Sequence, residues 1–324
     1  MHGDDDQLRV RACWLYYMEG LTQAAIAERI STSRLRVNRL LMEARASGLV
    51  GITINSPLAS CVSLEQRLVR EHGLRQAIVI PSPADQGLIP AMLGRQTAEL
   101  LSRLVDLIPH GTVSVGWGAT LRETIRYVRP GEYPALQVTS MMGGLTFGFD
   151  LNTFEIASEL ARRWNAQCHY LAAPIYAGSR KSHDTILAQD VFEEAFARVR
   201  TSDLAVLSVG DLSERSLLIR NGLPPDVTAA ELAAAGAVGD VLGQFLDSRG
   251  RPIRHALNDR VMALPVGALA AIPTVILASG GVNKAPIIAA TLRAGLIDVL
   301  VSYEITVTSA LELSGPGHDR ISGH

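Results

Sequence analysis

Apolar residues recur every three to four positions in two short segments near the start of the chain. The first segment has its apolar residues at Leu21, Ile26, Ala27 and Ile30. The second segment has its apolar residues at Leu35, Val37, Leu40, Leu41 and Ala44. Both sets match the 3.6-residue period of an amphipathic helix. The pattern therefore predicts two short helices separated by a tight turn.

The residues at the ends of these segments are typical of helix boundaries. Thr22 and Ser33 stand at the predicted N-caps, where a hydroxyl accepts a hydrogen bond from a backbone N–H one turn ahead. Gly48 stands at the end of the second helix, where a positive φ is common. Two capped helices joined by a three-residue turn predict a helix-turn-helix unit.

Two further elements are predicted beside this unit. A helix over residues 8–19 would brace it, with Val10, Trp14, Leu15 and Met18 as core candidates. Residues 49–54 are predicted to form a short strand, half of a small wing. Residues 1–6, which include three consecutive aspartates, are expected to be disordered.

The polar face of the second helix is basic. Residues 7–50 contain seven arginines and three glutamates, a local net charge of +4, whereas the whole chain has a net charge of −2. Arginine and asparagine on an exposed helix can pair with phosphates and read base edges in a major groove. The alternative is a solvated helix in a bundle. We favour binding to double-stranded DNA, with candidate contacts at Thr22, Gln23, Ser33, Arg34, Arg36, Asn38, Arg39 and Arg45.

From residue 76 onward, short apolar runs alternate with helical segments. Strands are predicted at residues 77–80, 112–116, 136–141, 168–173, 204–209, 274–278 and 299–301. Helices are predicted at residues 91–107, 121–128, 154–164, 191–200, 229–235 and 285–294. Continuous apolar runs are typical of parallel strands covered on both faces. The alternation predicts a doubly wound, mostly parallel α/β domain.

These patterns divide the chain into four parts. Residues 1–56 form the helix-turn-helix domain, residues 57–75 a linker helix, residues 76–316 an effector domain and residues 317–324 a tail. A length of 324 residues suits about two domains. The linker helix, centred on residues 63–71, has three open roles: joining the domains, pairing with a partner subunit, or lying on the surface.

Composition excludes several classes of protein. Cys13, Cys61 and Cys168 are odd in number and lack metal-ligand spacing, so we expect structural thiols in a reducing cytoplasm and no metal. No signal-peptide pattern and no run of 18 uncharged apolar residues is present, so membrane insertion is not expected. No cofactor is predicted.

Candidate chemistry lies just after the predicted strands, because ligands of such sheets bind at the carboxyl ends of the strands. Gly116, Gly118 and Thr120 form a strand-to-helix turn that suits a phosphate, although a glycine pair can also serve geometry alone. Gly143 and Gly144 follow the next strand along the chain.

Two charged residues stand in glycine-rich segments. Lys284 follows Gly280 and Gly281, and a lysine in a first helical turn opposes the helix dipole. It is a ligand contact or a solvated side chain. Asp240, amid glycine and apolar residues, either contacts ligand hydroxyls or caps a helix. Weaker candidates for the rim are His183, Gln189, Asp190 and the turn Asn258, Asp259, Arg260.

The chain resembles the SorC family of bacterial transcriptional regulators over nearly its whole length. The matching segments are residues 16–17, 20–23, 26–27, 33–34, 39–41, 44–45, 48–50, 116–121, 143–144, 172–174, 236–240 and 280–285, with Val37. Ser31 departs from the pattern, because relatives often carry glycine at this turn. The hydrophilic loop at residues 177–185, with Arg180 and Lys181, has no counterpart among the family's ligand residues.

The resemblance implies a sensor domain similar to sugar-phosphate isomerases, with a small phosphorylated sugar or polyol as effector. It implies that Asp240 and Lys284 contact the ligand, that the turn at Gly116, Gly118 and Thr120 receives the phosphate, and that the chain forms homodimers or homotetramers. We therefore interpret the protein as a non-enzymatic, DNA-binding repressor of carbohydrate or polyol catabolism. The alternative is a phosphosugar isomerase or aldolase with an appended DNA-binding module, in which Asp240 and Lys284 act as acid/base or Schiff-base groups.

Overall fold

The chain forms two compact units, Met1–Ser56 and Pro57–His324. The computed structural model describes residues 2–50, 58–83, 85–145 and 152–315. Among these residues, no helix is both long and apolar enough to cross a bilayer.

Three helices make up the first unit: α1 (His2–Tyr17), α2 (Gln23–Arg29) and α3 (Arg34–Ala46). Both predicted caps are confirmed, since Thr22 Oγ1 accepts from the Ala25 N–H at 3.3 Å and Ser33 Oγ from the Arg36 N–H at 3.2 Å. Gly48 has the expected positive φ of 74°. The core of the unit consists of Ala12, Cys13, Leu15, Ile26, Ala27, Val37, Leu40, Leu41 and Ala44.

Several expectations for this unit were wrong. Val10, Trp14, Met18 and Leu35 are exposed rather than buried, because the neighbouring helices cover other faces of α1 and α3. The chain from His2 onward belongs to α1 instead of being disordered. Residues 49 and 50 are not part of a strand, and the remainder of the predicted strand lies outside the described residues.

The turn between α2 and α3 keeps a left-handed residue without glycine. Ser31 has a φ of 52°, in the region that L-residues rarely adopt. Its N–H donates to Glu28 O at 3.2 Å, and the next N–H, of Thr32, donates to Ala27 O at 2.8 Å. These two backbone hydrogen bonds close the end of α2, and Ser31 carries the conformational cost of the left-handed turn.

The second unit contains a parallel seven-stranded sheet in the order β1-β10-β9-β5-β2-β3-β4, and all seven predicted strands are present in it. A small antiparallel sheet, β6-β7-β8, follows β5. The strands are β1 (Gln76–Ile80), β2 (Thr112–Val115), β3 (Gln137–Ser140), β4 (Gln167–His169), β5 (Leu204–Leu207), β6 (Val209–Gly210), β7 (Gly239–Val241), β8 (Gln244–Leu246), β9 (Thr274–Ala278) and β10 (Val299–Tyr303).

Helices cover both faces of the parallel sheet. Every residue of β5 and β10 is buried, so side chains pointing to either face are covered. One row of helices is formed by α5, α6 and α7, and a second by α4, α13 and α12. The helices are α4 (Ala59–His72), α5 (Ile89–Val105), α6 (Ala119–Tyr127), α7 (Thr153–Arg163), α8 (Arg180–Leu187), α9 (Asp190–Arg200), α10 (Leu217–Asn221), α11 (Ala229–Ala234), α12 (Ala285–Arg293) and α13 (Glu304–Ser314).

The order of the strands creates a switch point in the middle of the sheet. From β2 the chain adds β3 and β4 on one side, and then returns to add β5 and β9 on the other. In such a sheet the carboxyl ends of the strands on either side of the reversal leave a crevice. The loops after β2, β5 and β9 open into this crevice.

Four features of the second unit differ from the sequence expectation. The antiparallel sheet β6-β7-β8 was missed because its strands have only two or three residues. The helix α8 occupies much of the segment interpreted as a hydrophilic loop, and α10 and α13 were not predicted. The predicted linker helix is α4, whose buried Cys61, Leu64 and Leu68 pack with β1 in the core of the second unit.

The left-handed turn yields a stability test. Replacing Ser31 with glycine removes a strain of about 1–2 kcal/mol, offset in part by the larger unfolded-state entropy of glycine, about 0.5–1 kcal/mol. We expect Ser31→Gly to raise the opening free energy of α2 and α3 by about 0.5–1 kcal/mol, measured by native-state hydrogen exchange in the full chain.

The matched control is Gly48→Ala, where φ is 74° and an added Cβ meets no atom within 4 Å. It introduces the same strain without a steric clash and should lower the opening free energy by about 1 kcal/mol. A decrease for Ser31→Gly would contradict the assignment of strain to this turn.

Candidate functional site

A cavity of about 420 Å³ lies at the carboxyl ends of β2, β5 and β9. Three of the predicted effector residues line it: Gly118, Asp240 and Lys284. Residues that sequence reasoning did not select also line it, namely Trp117, Ser208, Asp211, Arg215, Arg220 and Asn283. Its volume lies in the range typical of small-molecule sites.

The turn after β2 presents the start of α6 to this cavity. Gly118 is the N-cap residue, with a φ of 119°. Because glycine has no side chain, no capping side chain occupies the N–H groups of the first turn. The first N–H groups of a helix lack intrahelical partners, and together with the helix dipole they favour an anion. Gly118 and Ala119 line the cavity, so this helix start is available to a bound phosphate.

Asp240 is held against the opposing strand of the small sheet. It pairs with Gly210 across β7 and β6, and a Cβ on Gly210 would collide with its Oδ1. Its Oδ2 accepts from the Gly243 N–H at 3.0 Å. The side chain is not a helix cap, because Asp240 lies within β7.

Asp211 is a second buried carboxylate in the cavity, only 3% exposed. Its Oδ1 accepts from the Ser213 N–H at 2.7 Å, and its Oδ2 accepts from Asn283 Nδ2 at 2.5 Å. Asp211 directly follows β6, a two-residue strand that comes after β5. The sequence pattern did not reveal this strand, so Asp211 was not recognised as a strand-end residue.

Burial dominates the electrostatics of the charged pair. It raises the pKa of Asp240 to about 6, against lowering by the Gly243 N–H and by Lys284. Burial also lowers the pKa of Lys284, while Asp211 and Asp240 act to raise it. Lys284 forms no ion pair with a carboxylate in the described part of the chain. The cavity therefore keeps an incompletely neutralised amine near two desolvated acids.

Two further cations lie at this cavity. Arg215 and Arg220 are exposed, and neither guanidinium forms an ion pair among the residues the structure describes. Together with the start of α6, they offer an anion several donors. The carboxylates of Asp211 and Asp240 accept hydrogen bonds, which suits hydroxyl groups.

Four predicted effector residues do not line the cavity. Gly116 and Thr120 are buried behind it. Gly143 donates its N–H to Met262 O at 2.7 Å, and Gly144 donates to Ala173 O at 2.9 Å. A Cβ on Gly143 would collide with the backbone at Pro174. The glycine pair thus permits close backbone packing, and Gly144 lines a different cavity of about 340 Å³.

The weaker candidates lie at a third, larger groove of about 760 Å³. His183, Asn258 and Asp259 line it together with Gln244. Gln244, which is buried, donates to Leu264 O and accepts from the Val266 N–H. Asn258, which is half-buried, bonds backbone groups of Phe245 and Ile253. The amides of Gln244 and Asn258 therefore hold the backbone around this groove, which gives them a structural role.

The remaining weak candidates have structural roles. Gln189 is the N-cap residue of α9, and Asp190 is its first residue. Arg260 donates to Asp226 Oδ2 at 2.9 Å and to Ala177 O at 3.0 Å. None of these three lines the cavity that contains Asp240.

The candidate DNA-binding residues of α3 lie on its exposed surface. Arg34, Asn38, Arg39 and Arg45 are exposed on α3, opposite the buried Val37, Leu40, Leu41 and Ala44. Gln23 Nε2 lies 3.5 Å from Asn38 Oδ1, which links the start of α2 to α3. The hydroxyls of Thr22 and Ser33 cap the two helices, as described above.

The arginines differ in their partners. Arg34 forms no ion pair among the described residues, and Arg39 pairs with Glu43 at 2.9 Å on the surface. Arg36 pairs with Asp5 of α1 at 2.8 Å. Arg45 donates to Tyr17 Oη at 2.7 Å, with its guanidinium carbon 5.8 Å from the ring centroid. Exposed pairs of this kind contribute little, so a phosphate can replace the acidic partner.

Comparison with known proteins assigns the second unit. Residues 56–312 match the Sugar-bind family, which describes a sugar-binding domain. The chain therefore belongs to this family of sugar-binding domains. It is 28% identical to the erythritol catabolism regulatory protein EryD of Brucella abortus, over 95% of this chain and 97% of that protein. It is also 28% identical to the transcriptional regulator LsrR of Escherichia coli K12, over 95% of both chains.

Solved structures show the same fold. The full-length sorbitol operon regulator SorC of Klebsiella pneumoniae aligns with a TM-score of 0.71 at 23% identity, covering 96% of this chain and 99% of that one. A DeoR family regulator of Listeria monocytogenes aligns with a TM-score of 0.70 at 25% identity, covering 77% and 99%. The SorC-family resemblance and the fold class expected from the sequence are thereby confirmed.

Burial of the Asp240 carboxylate is expected to lower the free energy of unfolding when that carboxylate is ionised. Asp240 is 2% exposed, and its folded-state pKa of about 6 exceeds the ordinary 3.8. Its favourable contribution is therefore complete below about pH 4 and is lost as the pH rises through about 6. Asp240→Asn should stabilise the empty protein by about 2–3 kcal/mol at pH 8 but by only about 1 kcal/mol at pH 4.5, measured by urea unfolding.

The control is Glu214→Gln, which neutralises an exposed carboxylate in the loop after β6. It should leave the unfolding free energy within about 0.5 kcal/mol at both pH values. A gap between Asp240→Asn and the native chain that does not widen from pH 4.5 to pH 8 would contradict the desolvation argument.

Proposed function

We propose that this SorC-family regulator is a repressor that binds an operator through α3 and is released when a phosphorylated sugar or polyol occupies the cavity at Asp240. The observation that carries the effector proposal is the composition of the cavity. It combines the open start of α6, two buried carboxylates and two arginines that form no ion pair within the described part of the chain. A ligand with an anionic group and several hydroxyls can bind both the positively charged groups and the carboxylates.

The proposed roles follow from the chemistry of each group. Gly118, Arg215 and Arg220 would bind the phosphate through N–H groups and positive charge. Asp211 and Asp240 would accept hydrogen bonds from hydroxyls, and Lys284 would donate to an oxygen of the ligand. Hydroxyl groups of the ligand would thus take the place of the water molecules that hydrate these two carboxylates when they are exposed.

The relatives support a polyol or sugar as the effector class. One relative is named for erythritol catabolism and a structural neighbour for the sorbitol operon. We propose that this chain likewise controls catabolism of a small polyol or sugar, acts in the cytoplasm where the operator lies, and works as a homodimer or homotetramer. Helix-turn-helix proteins usually bind a palindromic operator as dimers, with one DNA-binding domain on each half-site.

We also propose that the second unit senses its ligand without converting it. Its known relatives are regulators. The lowered pKa of Lys284 also suits a Schiff base, which keeps the aldolase alternative testable. Incubation of excess protein with aldose and ketose phosphates, followed by borohydride and mass spectrometry, should give neither turnover nor a lysine adduct. An adduct on Lys284 would favour the enzyme.

The division between the two units is tested by paired substitutions. Arg39→Ala should weaken binding to the operator and reduce the slope of log affinity against log salt by about 1. It should leave stabilisation by the effector unchanged. Lys284→Ala should bind the operator normally but no longer release it. Mobility shifts would use duplexes selected from a random pool, with a panel of four- to six-carbon sugar and polyol phosphates and their unphosphorylated forms.

Arg249→Ala is the matched control, since Arg249 is an exposed arginine of the second unit that does not line the cavity containing Asp240. It should change neither operator affinity nor release. If no duplex is enriched from the pool at low salt, or if Arg39→Ala and Lys284→Ala have the same phenotype, the proposed division of roles is wrong.

A further inference from the structure

The outward line of α3 is apolar where a reading helix needs contacts to bases. Leu35 is 80% exposed and Met42 is 64% exposed. They are seven residues apart, so they lie nearly in line two turns from each other, opposite the buried Val37, Leu40 and Ala44. Single exposed apolar residues are common on protein surfaces. Leu35 and Met42 differ because they lie together at the centre of the basic face of α3.

Charged and polar groups flank this line. Asn38 and Arg39 follow Leu35 by three and four residues, which places all three on adjacent positions of the helix surface. Arg34 and Arg45 also lie on the exposed surface. The face is therefore a narrow apolar strip between donors that suit phosphates and base edges, which is complementary to a DNA major groove.

The position of Leu35 within α3 indicates which part of the DNA it can contact. It is the second residue of the helix, after the N-cap Ser33 and Arg34. In helix-turn-helix complexes the first residues of the second helix meet the base edges, whereas later residues approach the backbone. The only apolar group on a major-groove base edge is the 5-methyl group of thymine.

We propose that Leu35 is a specificity-determining residue that packs on a thymine methyl group in each operator half-site. This inference rests on the proposed DNA binding of α3. It predicts a T·A pair at one defined position of each half-site. Asn38 lies one turn further along and can bond adenine N6 and N7, so it would read a neighbouring base pair.

Replacing thymine with deoxyuridine tests the contact, because this change removes the methyl group and nothing else. Operator duplexes would first be selected from a random pool with the native chain. Each dT would then be replaced singly by dU. At one position per half-site we expect affinity to fall about fourfold, the loss that corresponds to one buried methyl-sized group.

Leu35→Ala completes a double-substitution cycle. The variant should bind the unmodified operator more weakly than the native chain and show no further loss on the dU operator. Its salt dependence should match that of the native chain, because no phosphate contact is removed. Leu107→Ala, at an apolar residue 76% exposed in the second unit, is the control and should remain fully sensitive to dU.

The outcomes are distinguishable. If every dU operator binds the native chain as tightly as its parent, or if Leu35→Ala keeps the native sensitivity to dU, the contact does not exist. If Leu35→Ala instead changes the oligomeric state without changing sensitivity to dU, the strip binds protein and the inference is wrong. If no duplex is selected at all, DNA binding by α3 itself fails.

Discussion

Desolvation of charge at the centre of the second unit is the constraint on which this account depends. Asp240 and Asp211 are almost fully buried, and Lys284 lies beside them without an ion pair among the described residues. A protein selected for stability alone would pair or replace such groups, since an uncompensated buried charge is costly. On the proposed function, hydroxyl groups of a bound ligand would donate further hydrogen bonds to these carboxylates, which accounts for their retention. Burial of charge weakens the unliganded state, and ligand binding would offset part of that cost.

The fold delivers these charges to one place by a simple rule. Parallel strands bring their carboxyl ends to the same edge, and the reversal between β2 and β5 leaves a crevice there. The small antiparallel sheet then carries Asp240 back over this edge, with Gly210 leaving room for the carboxylate. A metabolite bound in the crevice, as we propose, would touch the loops of three central strands. Ligand binding can therefore bias the arrangement of the whole unit.

Sequence reasoning succeeded where a pattern reflects burial or capping. The seven strands follow from the apolar pattern, and the caps Thr22 and Ser33 follow from their place before the helices. The strand-end rule led to Gly118 and Lys284, and the glycine-rich surroundings led to Asp240; all three line one cavity. It failed where tertiary packing decides. Leu35 fits a helical apolar period, but α1 and α2 cover other faces of α3 and leave it exposed.

Short or locally ambiguous elements were also beyond the sequence. The strands β6 to β8 have too few residues for a period, so Asp211 was separated from its strand and not recognised. The glycine pair Gly143-Gly144 resembles a ligand turn, yet its N–H groups bond Met262 and Ala173. Only the three-dimensional contacts distinguish a glycine needed for close backbone approach from one that receives a ligand.

We propose above all that effector binding to the second unit and operator binding to the first unit are thermodynamically coupled. Because coupling is reciprocal, the factor by which saturating effector weakens operator binding must equal the factor by which saturating operator weakens effector binding. Isothermal calorimetry of the effector with and without operator, beside DNA titrations with and without effector, measures both factors. The account predicts equal factors of at least about fivefold, the lower range of typical allosteric coupling. An effector affinity that is unchanged by the operator would contradict it.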